Sequence, residues 1–146
     1  EINAGILNSL STLCIAQVNA IIVHKASLES KSVSVLAKLC YSVSQTYETS
    51  LKSFSTVDDR SKYSAQYKNW LQACVYFFEG CATAYLAFAS LSKSEYGVAV
   101  GFMMHASTCM ERAFHIDRVN TQINEPAQVL QESLVHVQCN GERKIQ

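Results

Sequence analysis

Between about residues 61 and 90, Tyr63, Tyr67, Trp70, Cys74, Phe77, Cys81, Tyr85 and Phe88 recur at spacings of four and three. At 3.6 residues per turn, that repeat sets all of them along one face of a single long helix. Leu71, Val75, Phe78, Ala82 and Leu86 form a second apolar face on the same segment. A helix that is apolar on two sides has to be sandwiched between neighbours, so the chain must supply other helices to flank it. It has the means to do so. Pro126 is its one proline and glycines number five, so little interrupts the remaining periodic segments. The fold class expected is all-α.

Four further helical segments can be read. The first covers about residues 3–29, with Leu7, Cys14, Val18, Ile21 and Lys25 tracing one face. The second covers about 32–54, with Ser30 as its expected cap, and polar residues 55–60 lead on, Asp58 or Asp59 capping the sandwiched helix. Ser92, Lys93 and Ser94 make a turn into the fourth helix, about 95–119. There Gly97 and Gly101 leave a flat strip for close helix approach, and Tyr96, Val100, Met103, Met104, Met110 and Phe114 supply bulk. A polar linker over 120–125 precedes a short fifth helix, about 126–138, opened by Pro126 and stopped by Gly141 before a charged tail. Long antiparallel helix pairs of this kind resemble a tetratricopeptide-type solenoid. The 146 residues make one domain. With Glu1 in place of an initiator Met, the chain is expected to be part of a larger protein.

Charge and cysteine usage narrow the function. Twelve basic and twelve acidic residues cancel with no one-signed block, which argues against nucleic-acid binding. Of the six cysteines, Cys40, Cys74, Cys81 and Cys109 lie on apolar stripes, as reduced core thiols do. No Cys-x-x-Cys or zinc-type Cys/His spacing accompanies them, so neither a disulfide nor a metal is expected, and a reducing, cytoplasmic setting is. Residues 70–89 have the length of a membrane span, but Glu79 within them would be costly at a bilayer midplane. The histidines, His24, His105, His115 and His136, form no ligand or catalytic pair by spacing, and no phosphate-cradling glycine loop or nucleophile elbow is present. His105 reads as a core histidine. Glu79 reads as the partner of Lys68, Arg112 or a tyrosine hydroxyl. No catalytic residues and no cofactor are expected, and the protein reads as a non-enzyme.

What remains is apolar surface beyond the needs of a hairpin. Ile21, Ile22 and Val23 are consecutive, and at about 100° per residue they cannot all face one neighbour. In the second helix Leu36, Cys40, Val43, Tyr47 and Leu51 make one stripe, while Val35 and Leu39 widen it on one flank. That surplus meets either another helix of the same protein or the helix of a partner.

The residues that carry the surplus resemble the signature hairpin of the Bro-domain family. Its pattern of Leu-x-x-Ala-Gln-Ala-Gln-Glu, then aromatic or aliphatic residues, Lys-Ala, and Ile-x-Ala-Lys-Leu about nine residues on is similar to Ala16-Gln17-Val18-Asn19-Ala20-Ile21-Ile22-Val23-His24-Lys25-Ala26 followed by Val35-Leu36-Ala37-Lys38-Leu39. Residues 41–51 and 70–91 look like later helices of that domain, and Tyr96-Gly97 like a Tyr-Gly helix start. The likeness is strongest over 7–118. Asn19 and Ala20 stand where the family has Gln and Glu, and Ile22 is smaller than the aromatic found in some members.

The resemblance implies an endosomal-sorting scaffold, cytoplasmic and recruited peripherally to endosomal membranes. It would bind the C-terminal amphipathic helix of an ESCRT-III subunit of the charged multivesicular body protein type. The groove residues it implies are Ile22, Val35 and Leu39, with Lys25 and Lys38 placed to pair with acidic residues of that helix. A rhophilin-like effector of a Rho-type GTPase is the alternative on the same fold.

Overall fold

The computed structural model describes residues 4–56 and 62–119. Four helices fill them, α1 (Ala4–Leu28), α2 (Val33–Ser55), α3 (Lys62–Ser92) and α4 (Tyr96–Val119). All are within about two residues of the bounds expected from periodicity. The chain is all-α over this range, with no strand among the described residues. The expected fifth helix, the cap at Asp58 or Asp59, and Cys139 lie outside the described residues.

Two short turns share one device. Ser30 is not the cap of α2. It sits at φ 54, in the left-handed region, where it ends α1. The Lys31 N–H then reaches back to the Ala26 carbonyl at 3.1 Å, closing carbonyls that α1 would otherwise leave unpaired. The residue at the N-cap of α2 is Ser32, which acts through its backbone, its carbonyl accepting the Val35 and Leu36 N–H groups at 2.9 and 3.0 Å. Between α3 and α4 the same geometry recurs with Ser94 at φ 62 and the Glu95 N–H on the Ser90 carbonyl at 3.0 Å. Turns this short send each helix back along its predecessor.

The helices pack in sequence order, each against the next. Phe54 meets Tyr67 at 4.6 Å between ring centroids, and the Ser44 hydroxyl donates to the Val75 carbonyl at 3.0 Å, so α2 and α3 run antiparallel. Leu71, Val75, Phe78, Cys81, Ala82 and Tyr85 of α3 enter a core shared with Leu36, Cys40, Val43 and Tyr47 of α2 and Ala16, Val23 and Ala26 of α1. Tyr47 stacks on Phe78 at 5.6 Å and meets the edge of Trp70 at 6.3 Å. Of the two faces of α3, the one through Leu71 is the deeper. The long aromatic stripe is half-buried at Tyr67, Trp70, Cys74 and Phe77, and Phe88 at its end is exposed.

On α1 and α4 the covered face is the one made of small residues. The α1 stripe Leu7, Cys14, Val18, Ile21 and Lys25 points outward, and Ser9, Ala16, Val23 and Ala26 face the neighbours. On α4, Ala99, Ala106, Cys109 and Ala113 are buried, and Tyr96, Val100, Met103, Met104 and Phe114 are exposed. Small side chains let two helix axes approach, and bulky ones then stand off on the far side. The Gly97–Gly101 strip has open space around it among the described residues. Close helix approach falls instead at Gly80, where an added Cβ would stand 3.1 Å from Met110 Cε and 3.3 Å from the Ala106 carbonyl oxygen.

By length and composition alone, α1 and residues 64–92 of α3 could each cross a membrane. In the fold α3 gives its apolar faces to α2 and α4.

Candidate partner-binding surface

The register of the α1–α2 hairpin is pinned by two serines. The Ser50 hydroxyl donates to the Ser9 carbonyl at 2.8 Å, and the two hydroxyl oxygens lie 3.0 Å apart. Because Ser50 spends its one proton on the carbonyl, the Ser9 hydroxyl donates to Ser50 Oγ and can accept from Tyr67, 3.4 Å away. Ser9 and Ser50 are therefore level, and antiparallel helices keep that sum of positions along their length. Ile22 then stands level with residues 37–39, and Lys25 with residues 34–36. At about 1.5 Å per residue, Ile22, Lys25, Val35, Lys38 and Leu39 all lie within about 10 Å of the turn, measured along the helix axes.

Helical phase decides which way they point. On α2, Ser44 and Tyr47 mark the direction of α3, and Ser50 marks that of α1. At about 100° per residue, Leu39 and Val35 follow beyond Ser50, on the flank turned away from α3. On α1, Ser9 marks the α3 side through Tyr67, and Ile22 lies on the opposite side of the α2 contact. Ile22, Val35 and Leu39 thus share one flank of the hairpin, and Lys25 and Lys38 stand about 60° further out on either rim.

Their burial differs. Ile22 is 49% exposed and Val35 is 44% exposed. Leu39 is half-buried and packs against the core. Leu39 is thus the floor of this flank, joined to the packing beneath it. Both lysines are exposed, and Lys25 is held loosely by Glu29 at 3.9 Å. Glu29 also meets Lys31 at 3.4 Å. Exposed pairs of this kind are worth little and exchange easily for a partner's carboxylate. Beside the flank runs the outward stripe of α1, with Val18 at 56% and Ile21 at 67% exposure.

A second concavity was not legible in the sequence. On the other flank of α2, a cleft of roughly 610 Å³ opens toward α3, lined by Tyr41, Gln45, Glu48, Gln72, Tyr76 and Glu79 among others. Its lining mixes polar side chains with the apolar Leu51 and Val75. Lys52 meets Glu48 at 2.8 Å, and the Gln45 amide donates to the Tyr41 hydroxyl at 2.9 Å. The spacing of Tyr41, Gln45, Glu48 and Lys52 marks a polar face of α2, which by itself says nothing of a facing wall.

The core thiols and phenols are held protonated by burial. Burial pushes the Cys40 thiol from 9.0 up to about 12, and it raises Cys81 and Tyr47 as well. Cys14, Cys40, Cys74, Cys81 and Cys109 form no disulfide with one another. The histidine assignment needs correction. His105 is half-exposed, with its Nε2 3.3 Å from Glu79 Oε1, so Glu79 has found a histidine rather than Lys68, Arg112 or a tyrosine. Arg112 lies 5.7 Å over the Tyr76 ring and Lys68 5.7 Å over Phe54.

The family model described as the BRO1-like domain matches residues 1–142. The chain belongs to the BRO1-like domain family. Searches of the curated proteins and of the solved structures return no significant match. The family is one of protein-interaction scaffolds in endosomal sorting and not an enzyme family.

Proposed function

We propose that this BRO1-like domain is an endosomal-sorting adaptor. The flank formed by Ile22, Val35 and Leu39 receives the C-terminal amphipathic helix of an ESCRT-III subunit. The observation that carries the reading is the convergence of three apolar side chains from two helices at one level of one flank, two of them about half exposed. An amphipathic helix offers apolar side chains at i, i+3 and i+4, a spacing of about one turn that suits a strip spanning about 10 Å. Lys25 and Lys38 on the rims favour an acidic helix and fix its direction. The protein then acts in the cytoplasm and reaches the endosomal membrane through its partner.

The test is a fluorescence-anisotropy titration of an ESCRT-III C-terminal helix peptide into the purified protein, wild type beside Ile22→Asp and Val35→Asp. Full burial of such a side chain is worth about 1.5–3 kcal/mol, so covering the exposed half contributes about 1 kcal/mol each. An aspartate also brings a carboxylate to be desolvated, so each variant weakens binding by at least about 10-fold. Both sites are exposed, so the thermal midpoint stays close to wild type. Leu39 is unsuited to this role because a charge there strikes the core. Binding that is unchanged in both variants would refute the site. No binding by folded wild type would refute the ESCRT-III reading, and a Rho-type GTPase loaded with GTP is the partner to try in the same assay.

A further inference from the structure

Where α3 and α4 come closest, at Gly80 against Ala106 and Met110, three side chains of different chemistry meet. His105 Nε2 lies 3.3 Å from Glu79 Oε1 and 3.5 Å from Cys109 Sγ. The three donor atoms all fall within 4.8 Å of one another. We infer that Glu79, His105 and Cys109 form a transition-metal site suited to Zn²⁺, with a fourth position open to water or to a donor from a bound protein.

Distances support it first. A tetrahedral zinc ion with bonds of about 2.0–2.1 Å to N and O and about 2.3 Å to S sets its N and O ligands about 3.4 Å apart and its N and S ligands about 3.5 Å apart. The observed separations of 3.3 and 3.5 Å match two of the three edges, and the third, Glu79 to Cys109, lies within 4.8 Å and closes by rotation of the half-exposed Glu79 side chain. Carboxylate, imidazole and thiolate together are also the donor set that a borderline ion prefers over Mg²⁺ or Ca²⁺.

Hydrogen bonding alone leaves the cluster half-served. Nε2 carries either one proton or one lone pair, so it donates to Glu79 or accepts from the Cys109 thiol, one neighbour at a time. A cation between the three satisfies all of them. The scaffold is rigid too, since His105 and Cys109 are i and i+4 on α4 and share a face, while Glu79 arrives from α3 next to Gly80. Access is available, because the side chains of His105 and Glu79 are 52% and 35% exposed, and Cys109 forms the buried floor at 2%.

Charge balances on loading. Zinc binds cysteine as the thiolate, so binding expels the Cys109 thiol proton to solvent as the metal–sulfur bond forms. The loaded site, one dication with two anions, is neutral, so nearby Arg112 meets no net positive charge.

Cobalt(II) titration of the purified protein tests the inference. The wild type takes up one equivalent with tetrahedral d–d bands and a thiolate charge-transfer band, and Zn²⁺ bleaches both. Cys109→Ser removes the charge-transfer band, and His105→Gln and Glu79→Gln each weaken uptake at least about 10-fold. His105 is half-exposed, so its variant keeps the wild-type far-ultraviolet spectrum and separates loss of a ligand from loss of fold. Absence of the bands in wild type would overturn the site. So would a charge-transfer band that survives Cys109→Ser, which would point to Cys14 or Cys74, or uptake indifferent to His105→Gln.

Discussion

Cys40 sits at 2% exposure where α2 meets both α1 and α3, and that position makes the fold sensitive to alkali in a calculable way. Its thiol ionises at 9.0 when unfolded and at about 12 when folded, because burial disfavours the thiolate. Below pH 9 both states hold the proton and the full stability is present. Between 9 and about 12 the unfolded chain gives up its proton and the folded one does not, so stability falls as pH rises. At about 1.36 kcal/mol per pH step, this single thiol removes about 2 kcal/mol by pH ~10.5 and roughly 4 kcal/mol by pH ~12, against a typical total of about 5–15 kcal/mol. Cys81 and Tyr85 are raised partly by Cys40 itself, so deleting Cys40 also eases their share. Urea denaturation followed by far-ultraviolet circular dichroism, at pH steps from 7.5 to about 10.5, gives the slope directly. Cys40→Ala lowers stability at neutral pH, as any core truncation does, but flattens the alkaline slope by about 2 kcal/mol over that range. Parallel slopes in wild type and Cys40→Ala would refute the placement of this thiol in the three-helix core.

Two further substitutions probe the helix contacts. Ser50→Ala leaves the Ser9 hydroxyl and carbonyl without their buried partner and costs about 1–3 kcal/mol in urea denaturation, where a neutral result would contradict the serine register pin. Gly80→Val drives branched carbons into Met110 and the Ala106 carbonyl, lowering stability by about 1–3 kcal/mol or more and weakening cobalt uptake at the adjacent cluster, with unchanged melting refuting the close approach there.

Much of this was legible along the chain. The two-sided apolar pattern of residues 61–90 required a sandwiched helix, and α3 is one, with α2 and α4 against it. The α2 stripe Leu36, Cys40, Val43 and Tyr47 is buried as its spacing demands. The hairpin motif over residues 16–39 pointed to the family that the match over 1–142 shows. Serine turns were harder. Ser30 has the chemistry of a cap, yet the left-handed residue that closes α1 was needed two residues before the cap of α2.

Periodicity fixes which residues share a face of a helix, and in this protein it did so on every described helix. Where a helix carries more than one apolar face, it does not say which is covered, since that depends also on how closely the axes approach. On α1 and α4 the bulky apolar stripes stand outward, and the fold buried Ala16 and Val23, or Ala106 and Cys109, because smaller side chains let the neighbours close in. The same closeness brought Glu79 to His105 and Cys109 across two helices, a meeting of residues 26 or more apart that no local spacing could announce. Sequence determined the helices, their order and their faces. Tertiary packing alone decided which faces were left outward and which polar groups were pressed together, because both follow from how near two helices can lie.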